Sequence, residues 1–174
     1  MKHRKLNFED HKASDFKYPV SILTDNITLK ENIASLFRLC DALGVEHLYL
    51  TGKDAKSTNA KFSKVSRFTE RSVSHSIEED SLQTLANLKQ QGYTVISLEI
   101  TSQSKSIGDF DFSSTEKICL ILGSEAKGVD DNLLSASDHC VHIPMLGMNS
   151  SMNVICAASI AIYEITRNSQ PNPS

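Results

Sequence analysis

The alternation of short apolar segments with longer amphipathic segments constrains the fold of this chain more than any other feature. Short, largely apolar runs at residues 19–24, 47–50, 94–98 and 118–122 predict strands, and the stretches between them have room for crossover helices. This order predicts an α/β fold with a mostly parallel sheet and helices on both of its faces. At 174 residues, the chain has the length expected of one domain with a full core.

The first helix is delimited by local signals. Thr28-x-x-Glu31 is a capping-box signature that predicts its start, and Gly44 suits its C-terminal cap. Between them, apolar residues recur at spacings of 3, 1, 3 and 3, as expected for one face of a helix. At about 100° per residue, Arg38 lies roughly opposite this apolar stripe. We therefore expect Arg38 to face solvent or a partner.

The strongest signal for a binding site lies in residues 117–167, which hold three of the seven glycines. An apolar strand is followed by a loop bounded by Gly123 and Gly128, a second strand at 140–143, a Pro/Gly loop and an apolar helix at 151–167. Open α/β sheets bind ligands in the loops at the carboxyl ends of their strands. We expect this stretch to form the ligand-binding half.

The common nucleotide-binding motifs are not present in this half. The sequence contains no Gly-x-Gly-x-x-Gly, and the loop with P-loop glycine spacing has Val129 and Asp130 where Lys and Ser/Thr are required. His139 and His142 would point to opposite faces of a strand, so they do not form a metal pair. These patterns argue against an ATPase and predict no metal.

The charge is unevenly distributed. The net charge is −3, yet residues 53–71 hold six Lys and Arg against two acidic residues, a local charge of +4. Residues 1–17 hold five Lys and Arg against three acidic residues, a local charge of +2. Basic bands on an acidic protein favour binding of a polyanion such as nucleic acid, and ordinary solvated surface charge is the alternative.

The cysteine pattern and the hydropathy indicate the cellular compartment of the protein. The four cysteines form no Cys-x-x-Cys pair and each lies in an apolar run, which predicts buried, reduced thiols in a cytoplasmic protein. No apolar run approaches the roughly 18 residues that a membrane helix needs. We therefore expect no membrane segment.

Three separated segments resemble one known family. They are N-I-A…R…A-L-G-V at 32–45, L-G-S-E-A-K-G at 122–128, and I-P-M…S-M-N-V…A-A…Y-E…R at 143–167. In the same order, they resemble the motifs of the SpoU/TrmH-type α/β-knot (SPOUT) RNA 2′-O-ribose methyltransferases, and the resemblance covers residues 20–167. Ala34, Leu39 and Ala126 depart from the family pattern.

The resemblance implies a deep trefoil knot in the C-terminal half, at about residues 117–167. It further implies a homodimer and S-adenosylmethionine as cofactor. The implied reaction is methyl transfer to a ribose 2′-hydroxyl of RNA. We favour tRNA as substrate, with rRNA as the alternative, because we see no additional N-terminal RNA-binding domain. The expected organisation is an N-terminal polar and basic arm at 1–18, one methyltransferase domain at 19–167 and a flexible tail at 168–174.

The resemblance also implies the site residues. The implied catalytic residues are Arg38, Asn32, Glu125, Ser151 and Asn153. The implied cofactor-binding residues are Leu98, Glu99, Thr101, Gly123, Ile143, Met145, Ser151 and Met152. The expected RNA-binding residues are Lys61, Lys64, Arg67, Arg71 and Arg167.

Within this implied site, Arg38 is expected to pair with a substrate phosphate and polarise the 2′-hydroxyl. A free guanidinium, with a pKa above about 12, is a poor general base. Ser151 and Asn153 are expected to hold the ribose. Two other functions stay open: an RNA-binding protein that has lost catalysis through Ala34 or Leu39, and a flavodoxin-like nucleotide-binding domain.

Overall fold

The computed structural model describes residues 4–5, 10, 12, 14–52 and 60–167, and in residues 60 and 61 the backbone alone. Half of the predicted N-terminal arm and the whole of the predicted tail at 168–174 therefore lie outside the described residues. The strands are β1 (Tyr18–Thr24), β2 (Val45–Thr51), β3 (His75–Glu78), β4 (Thr94–Leu98), β5 (Lys105–Ser106), β6 (Ile118–Leu122) and β7 (His139–His142). The helices are α1 (Lys30–Leu43), α2 (Ala60–Ser66), α3 (Ser81–Gln90), α4 (Asp131–Ala136) and α5 (Val154–Arg167).

The described strands form one parallel sheet in the order β3-β2-β1-β6-β4-β7-β5, with helices on both faces. β6 illustrates the two-sided burial. Ile118, Leu120 and Leu122 pack into the core under α1, α2 and α5. Cys119 and Ile121 point the other way, into the core under α3 and α4. The continuous apolar run of β6 reflects cover on both faces, and the predicted α/β class is confirmed.

The strand order places four loops next to one another at one edge of the sheet. β6 lies between β1 and β4, and β7 lies between β4 and β5. Because neighbouring strands are parallel, the loops that follow β1, β4, β6 and β7 all begin at the same edge. The predicted trefoil knot stays a prediction.

α1 agrees with the sequence at its C-terminus and differs at its N-terminus. Gly44 ends the helix in the left-handed conformation at φ 65°, and Arg38 is exposed as expected. The predicted capping box is wrong, because the N-cap residue is Leu29 and no side chain caps the helix from that position. Thr28 and Leu29 instead donate their backbone N–H groups to the distant carboxylate of Glu125.

The cysteines are free thiols in three environments. Cys40 and Cys119 are buried, and burial raises the pKa of each thiol to about 12. Cys140 is half-buried. The prediction of a buried thiol is wrong for Cys156, which is exposed on the outward face of α5.

Within the described ranges, none of the helices combines the length and the apolarity that crossing a lipid bilayer requires.

Candidate active site

A cleft of about 920 Å³ opens at the edge of the sheet where these loops meet. Its walls come from the end of β4, the loop after β6, the loop after β7 and the first turn of α5. All eight residues expected to bind the cofactor line it: Leu98, Glu99, Thr101, Gly123, Ile143, Met145, Ser151 and Met152. Residues that lie up to 54 positions apart in sequence are thus brought together at one cavity.

The loop from Gly123 to Gly128 is closed tightly on itself. Ser124 and Gly128 exchange two backbone hydrogen bonds of 3.0 Å each. A Cβ on Gly123 would lie 2.2 Å from the carbonyl carbon of Gly128, and a Cβ on Gly128 would lie 2.1 Å from Oε2 of Glu99. Close packing against backbone therefore requires glycine at position 123, and the left-handed backbone at φ 69° favours it at position 128.

Two carboxylates hold the residues that follow this loop. Oε2 of Glu99 accepts the N–H of Val129 at 3.1 Å, and Oδ2 of Asp25 accepts the N–H of Asp130 at 2.7 Å. Asp25 is buried at the end of β1, and the sequence analysis missed it. The available signal was a carboxyl group directly after a mostly apolar strand, where a buried polar group needs specific hydrogen-bond partners.

Glu125 lies at the centre of a hydrogen-bond network between three elements. Its Oε1 accepts the amide Nδ2 of Asn32 at 2.7 Å, and Oδ1 of Asn32 accepts Nδ2 of Asn153 at 3.2 Å. The N–H of Thr28 donates to Oε2 at 3.2 Å and that of Leu29 to Oε1 at 3.4 Å. The loop after β6 is thereby bound to the starts of α1 and α5.

This network sets the charge state of Glu125. Burial by itself raises the pKa of the carboxyl, but the hydrogen bonds from Asn32 and from the backbone N–H groups of Thr28 and Leu29 lower it. The result is a pKa below the ordinary value, so Glu125 is ionised at neutral pH and its oxygens act as acceptors.

Asn153 caps the last helix. Its Oδ1 accepts the N–H of Ile155 at 2.8 Å, and α5 begins at Val154. The prediction that this helix begins at Ser151 is therefore wrong by one turn. Ser151 is exposed on the wall of the cleft, where its hydroxyl can meet a ligand.

The remaining predicted residues lie away from the cleft. Arg38 is exposed on α1 and does not line it. Lys64, Arg67 and Arg71 are exposed on α2 and the turn after it, and the side chain of Lys61 lies outside the described part of the chain. Arg167, at the end of α5, donates to the carboxylate of Glu164 within its own helix.

The chemistry of the cleft suits one kind of ligand. Leu98, Ile143 and Met145 offer apolar walls for a flat ring, while Glu99 and Glu125 place carboxylates at the same cavity. The arrangement fits a molecule with an aromatic ring and a cationic group. Within residues 14–52 and 60–167, no group of three His, Cys, Asp or Glu side chains is placed to hold a metal ion.

Sequence comparison connects this arrangement to known proteins. The profile of the SpoU rRNA Methylase family matches residues 19–163. The chain is 28% identical to the tRNA (guanosine(18)-2′-O)-methyltransferase of Aquifex aeolicus over 149 residues, which are 84% of this chain and 68% of that protein.

Two solved structures share the fold. The A. aeolicus TrmH/SpoU tRNA modifying enzyme superposes with a TM-score of 0.80 at 24% identity, covering 92% of this chain and 83% of that one. The SpoU methyltransferase AviRb from Streptomyces viridochromogenes, in complex with the cofactor AdoMet, has a TM-score of 0.78 at 24% identity. That match covers 94% of this chain and 64% of the other.

Proposed function

Because the chain belongs to the SpoU rRNA Methylase family, we propose that it transfers a methyl group from S-adenosylmethionine to a ribose 2′-hydroxyl of RNA. The observation that carries the proposal is the convergence of all eight expected cofactor residues on one cleft. We favour tRNA as the substrate, since the A. aeolicus relative is a tRNA methyltransferase. Ribosomal RNA is the alternative.

The residues of the cleft fit S-adenosylmethionine. Apolar side chains suit the adenine. Among the described residues, Oε1 of Glu99 accepts one N–H, from Ile100, and Oε2 accepts one, from Val129. A carboxylate oxygen can accept a second bond, so Glu99 can also receive a hydroxyl or an ammonium donor. When bound, the cofactor supplies an electrophilic methyl group on its sulfonium.

Asn32, Glu125 and Asn153 serve as positioning residues in this proposal. Each bonds to another member of the network or to the first turn of a helix, so together they fix the cleft wall. Both ends of the Asn153 amide are engaged, which favours positioning over the ribose contact that the family resemblance implied. Ser151, exposed at the cleft, is the better ribose ligand. Orienting the hydroxyl towards the methyl group then supplies much of the rate gain.

The outward face of α5 supports a homodimer. Cys156, Ile160 and Tyr163 are exposed at spacings of four and three, so they form one stripe, and the last two are 44% and 60% exposed. An exposed apolar stripe marks an interaction surface. We propose that a second copy of the chain covers it, as twofold interfaces pair the same patch on both subunits.

The dimer gives Arg38 a role. α1 packs beside α5, and we propose that an interface built on α5 brings Arg38 of one subunit close to the cleft of the other. There its guanidinium would pair with a phosphate of the RNA and polarise the 2′-hydroxyl, because Arg presents a fork of fixed charge to phosphate oxygens.

Methyl transfer to tRNA tests the function and the role of Arg38. We expect Arg38→Ala to lower kcat at least about 100-fold, the usual loss when one electrostatic stabiliser of the reacting groups is removed, without changing the melting temperature. Lys105→Ala, which removes an exposed positive charge on β5, is the matched control. Full activity of Arg38→Ala would contradict the assignment. Nucleoside mass spectrometry of the product identifies the methylated ribose, and calorimetry that detected no S-adenosylmethionine binding would contradict the enzyme function itself.

Mixed dimers test whether the site is shared. If Arg38 and Ser151 of one site come from different subunits, mixing Arg38→Ala with Ser151→Ala protein restores one complete site in each mixed dimer. No recovery on mixing, with exchange of subunits verified, would place both residues in the same chain's site.

A further inference from the structure

The turn after α2 holds an aromatic ring out in solvent beside an arginine. Phe68 is 54% exposed, and the guanidinium carbon of Arg71 lies 4.9 Å from the centre of its ring. Arg67 and Phe68 have φ angles of 54° and 65°. The left-handed conformation is uncommon for side chains other than Gly, Asn and Asp, and two such residues in succession indicate a turn that its surroundings enforce.

A cluster of hydroxyl groups enforces this turn. Ser66 is fully buried, and the hydroxyls of Ser66 and Ser63 both donate to the carboxylate of Glu70. The N–H of Phe68 donates to the carbonyl of Ser63 at 3.1 Å, and Oγ1 of Thr69 donates to the carbonyl of Ser66 at 2.7 Å. The aromatic ring is thus presented by a bonded framework instead of being left on a loose loop.

The surface around Phe68 is positive. Lys64, Arg67 and Arg71 are exposed, and none of them forms an ion pair with another described residue. The carboxylate of Glu70 is directed at the serine hydroxyls. An exposed ring among cations favours a ligand that has both flat aromatic surfaces and negative charge.

The turn is attached to the helix that carries Arg38. The hydroxyl of Ser72 donates to Oδ1 of Asp41 at 3.2 Å, and Asp41 lies three residues after Arg38, on the same side of α1. A second cavity of about 300 Å³ lies between α1 and α2, and Leu29 lines both this cavity and the cleft. The aromatic turn, α1 and the cleft therefore follow one another along the surface.

We propose that Phe68 and Arg71 form a stacking platform for an unpaired base of the RNA substrate, with Lys64 and Arg67 contacting the flanking phosphates. The inference rests on the proposed function and predicts that the RNA segment bound at this turn is single-stranded or looped. Unpaired bases stack on aromatic rings and on guanidinium planes, whereas bases inside a duplex have no free face.

Fluorescence anisotropy with two labelled RNAs tests the platform: a short single strand and a blunt-ended duplex of equal length. We expect Phe68→Ala to weaken binding of the single strand about 10-fold, within the range for loss of one stacked base, and to leave duplex binding unchanged. Phe68→Trp should keep the single-strand affinity, and Phe68→Leu should lose it as Phe68→Ala does. Lys64→Ala should weaken binding of both RNAs, because it removes a phosphate contact.

Equal weakening of both RNAs by Phe68→Ala, or full single-strand affinity in Phe68→Leu, would overturn the platform. Methyl transfer separates this outcome from a failure of the proposed function. If the wild-type protein methylates tRNA and Phe68→Ala has an unchanged KM for tRNA, the platform is wrong and the function stands. If the wild-type protein methylates no RNA but the single-strand selectivity depends on an aromatic residue at position 68, the function is wrong and the platform stands.

Discussion

The two loops that form the main walls of the cleft differ in how tightly they pack against the rest of the chain. The loop after β6, residues 123–130, is bonded within itself and to carboxylates from two other segments of the chain. The loop after β7, residues 143–153, has two almost fully exposed apolar side chains, Leu146 and Met148. A Cβ added to Gly147 would have no neighbour within 4 Å.

The difference indicates what one chain can supply by itself. A wall that is packed and bonded before any ligand arrives costs little to order on binding, so the wall formed by the loop after β6 is preorganised. Large apolar side chains in solvent gain free energy when they are covered. In the proposed dimer, the loop after β7 and the stripe on α5 are the surfaces left for a partner.

Alanine at the two loop glycines should produce the largest contrast. Gly123→Ala places a methyl group against the backbone of Gly128 and Val129, and we expect a loss of about 3 kcal/mol in the free energy of unfolding, as for severe overpacking. Gly147→Ala meets nothing and should change it by less than about 0.5 kcal/mol. Denaturant unfolding measures both, and equal effects would show that the two loops are equally constrained.

The sequence predicted the buried strands and the end of the first helix well. β1 and β6 are apolar on both faces, so their strands were found within one residue, and Gly44 marked the end of α1. Short elements were missed, because β5 has two residues and α4 has six, too few to show a period.

The contacts that shape the site could not be found from local patterns. Thr28 looks like a helix cap, but Glu125, 97 residues later, takes the bonds at the start of α1. Asp25 meets the N–H of Asp130 across 105 residues. Local sequence patterns indicate which residues can form hydrogen bonds. Only the strand order determines which of these residues come into contact.

Removal of an aromatic side chain from α5 tests the proposed dimer interface. We expect Tyr163→Ala to weaken the proposed dimer by about 2 kcal/mol, a typical loss for a buried interface aromatic. Sedimentation velocity over a range of concentrations measures the change. Leu82→Ala, at an exposed position on α3, is the matched control. A wild-type protein that sediments as a monomer at all concentrations would contradict the assembly.

The smallest effect should come from the charge of Glu125, which binds the loop after β6 to the start of α1. Glu125→Gln keeps the shape of the side chain but replaces one acceptor oxygen with an NH₂ group. We expect a loss of about 1 kcal/mol near pH 7, below the usual range for hydrogen bonds to a charged group because Glu125 is exposed and solvent screens its charge. Glu116→Gln, at an exposed position whose carboxylate accepts no hydrogen bond from the part of the chain that the structure describes, should change stability by less than about 0.5 kcal/mol.

The pH dependence then separates charge from shape. The pKa of Glu125 is lower in the folded protein than its ordinary value, so its stabilising contribution is complete above the unfolded-state pKa and falls as the pH drops through the folded-state pKa. The stability difference between wild type and Glu125→Gln should therefore shrink as the pH falls from near 7 to about 3. A difference that stays constant over this range would mean that the amide group disturbs the loop by its geometry, and that the charge of the carboxylate does not hold the loop against α1.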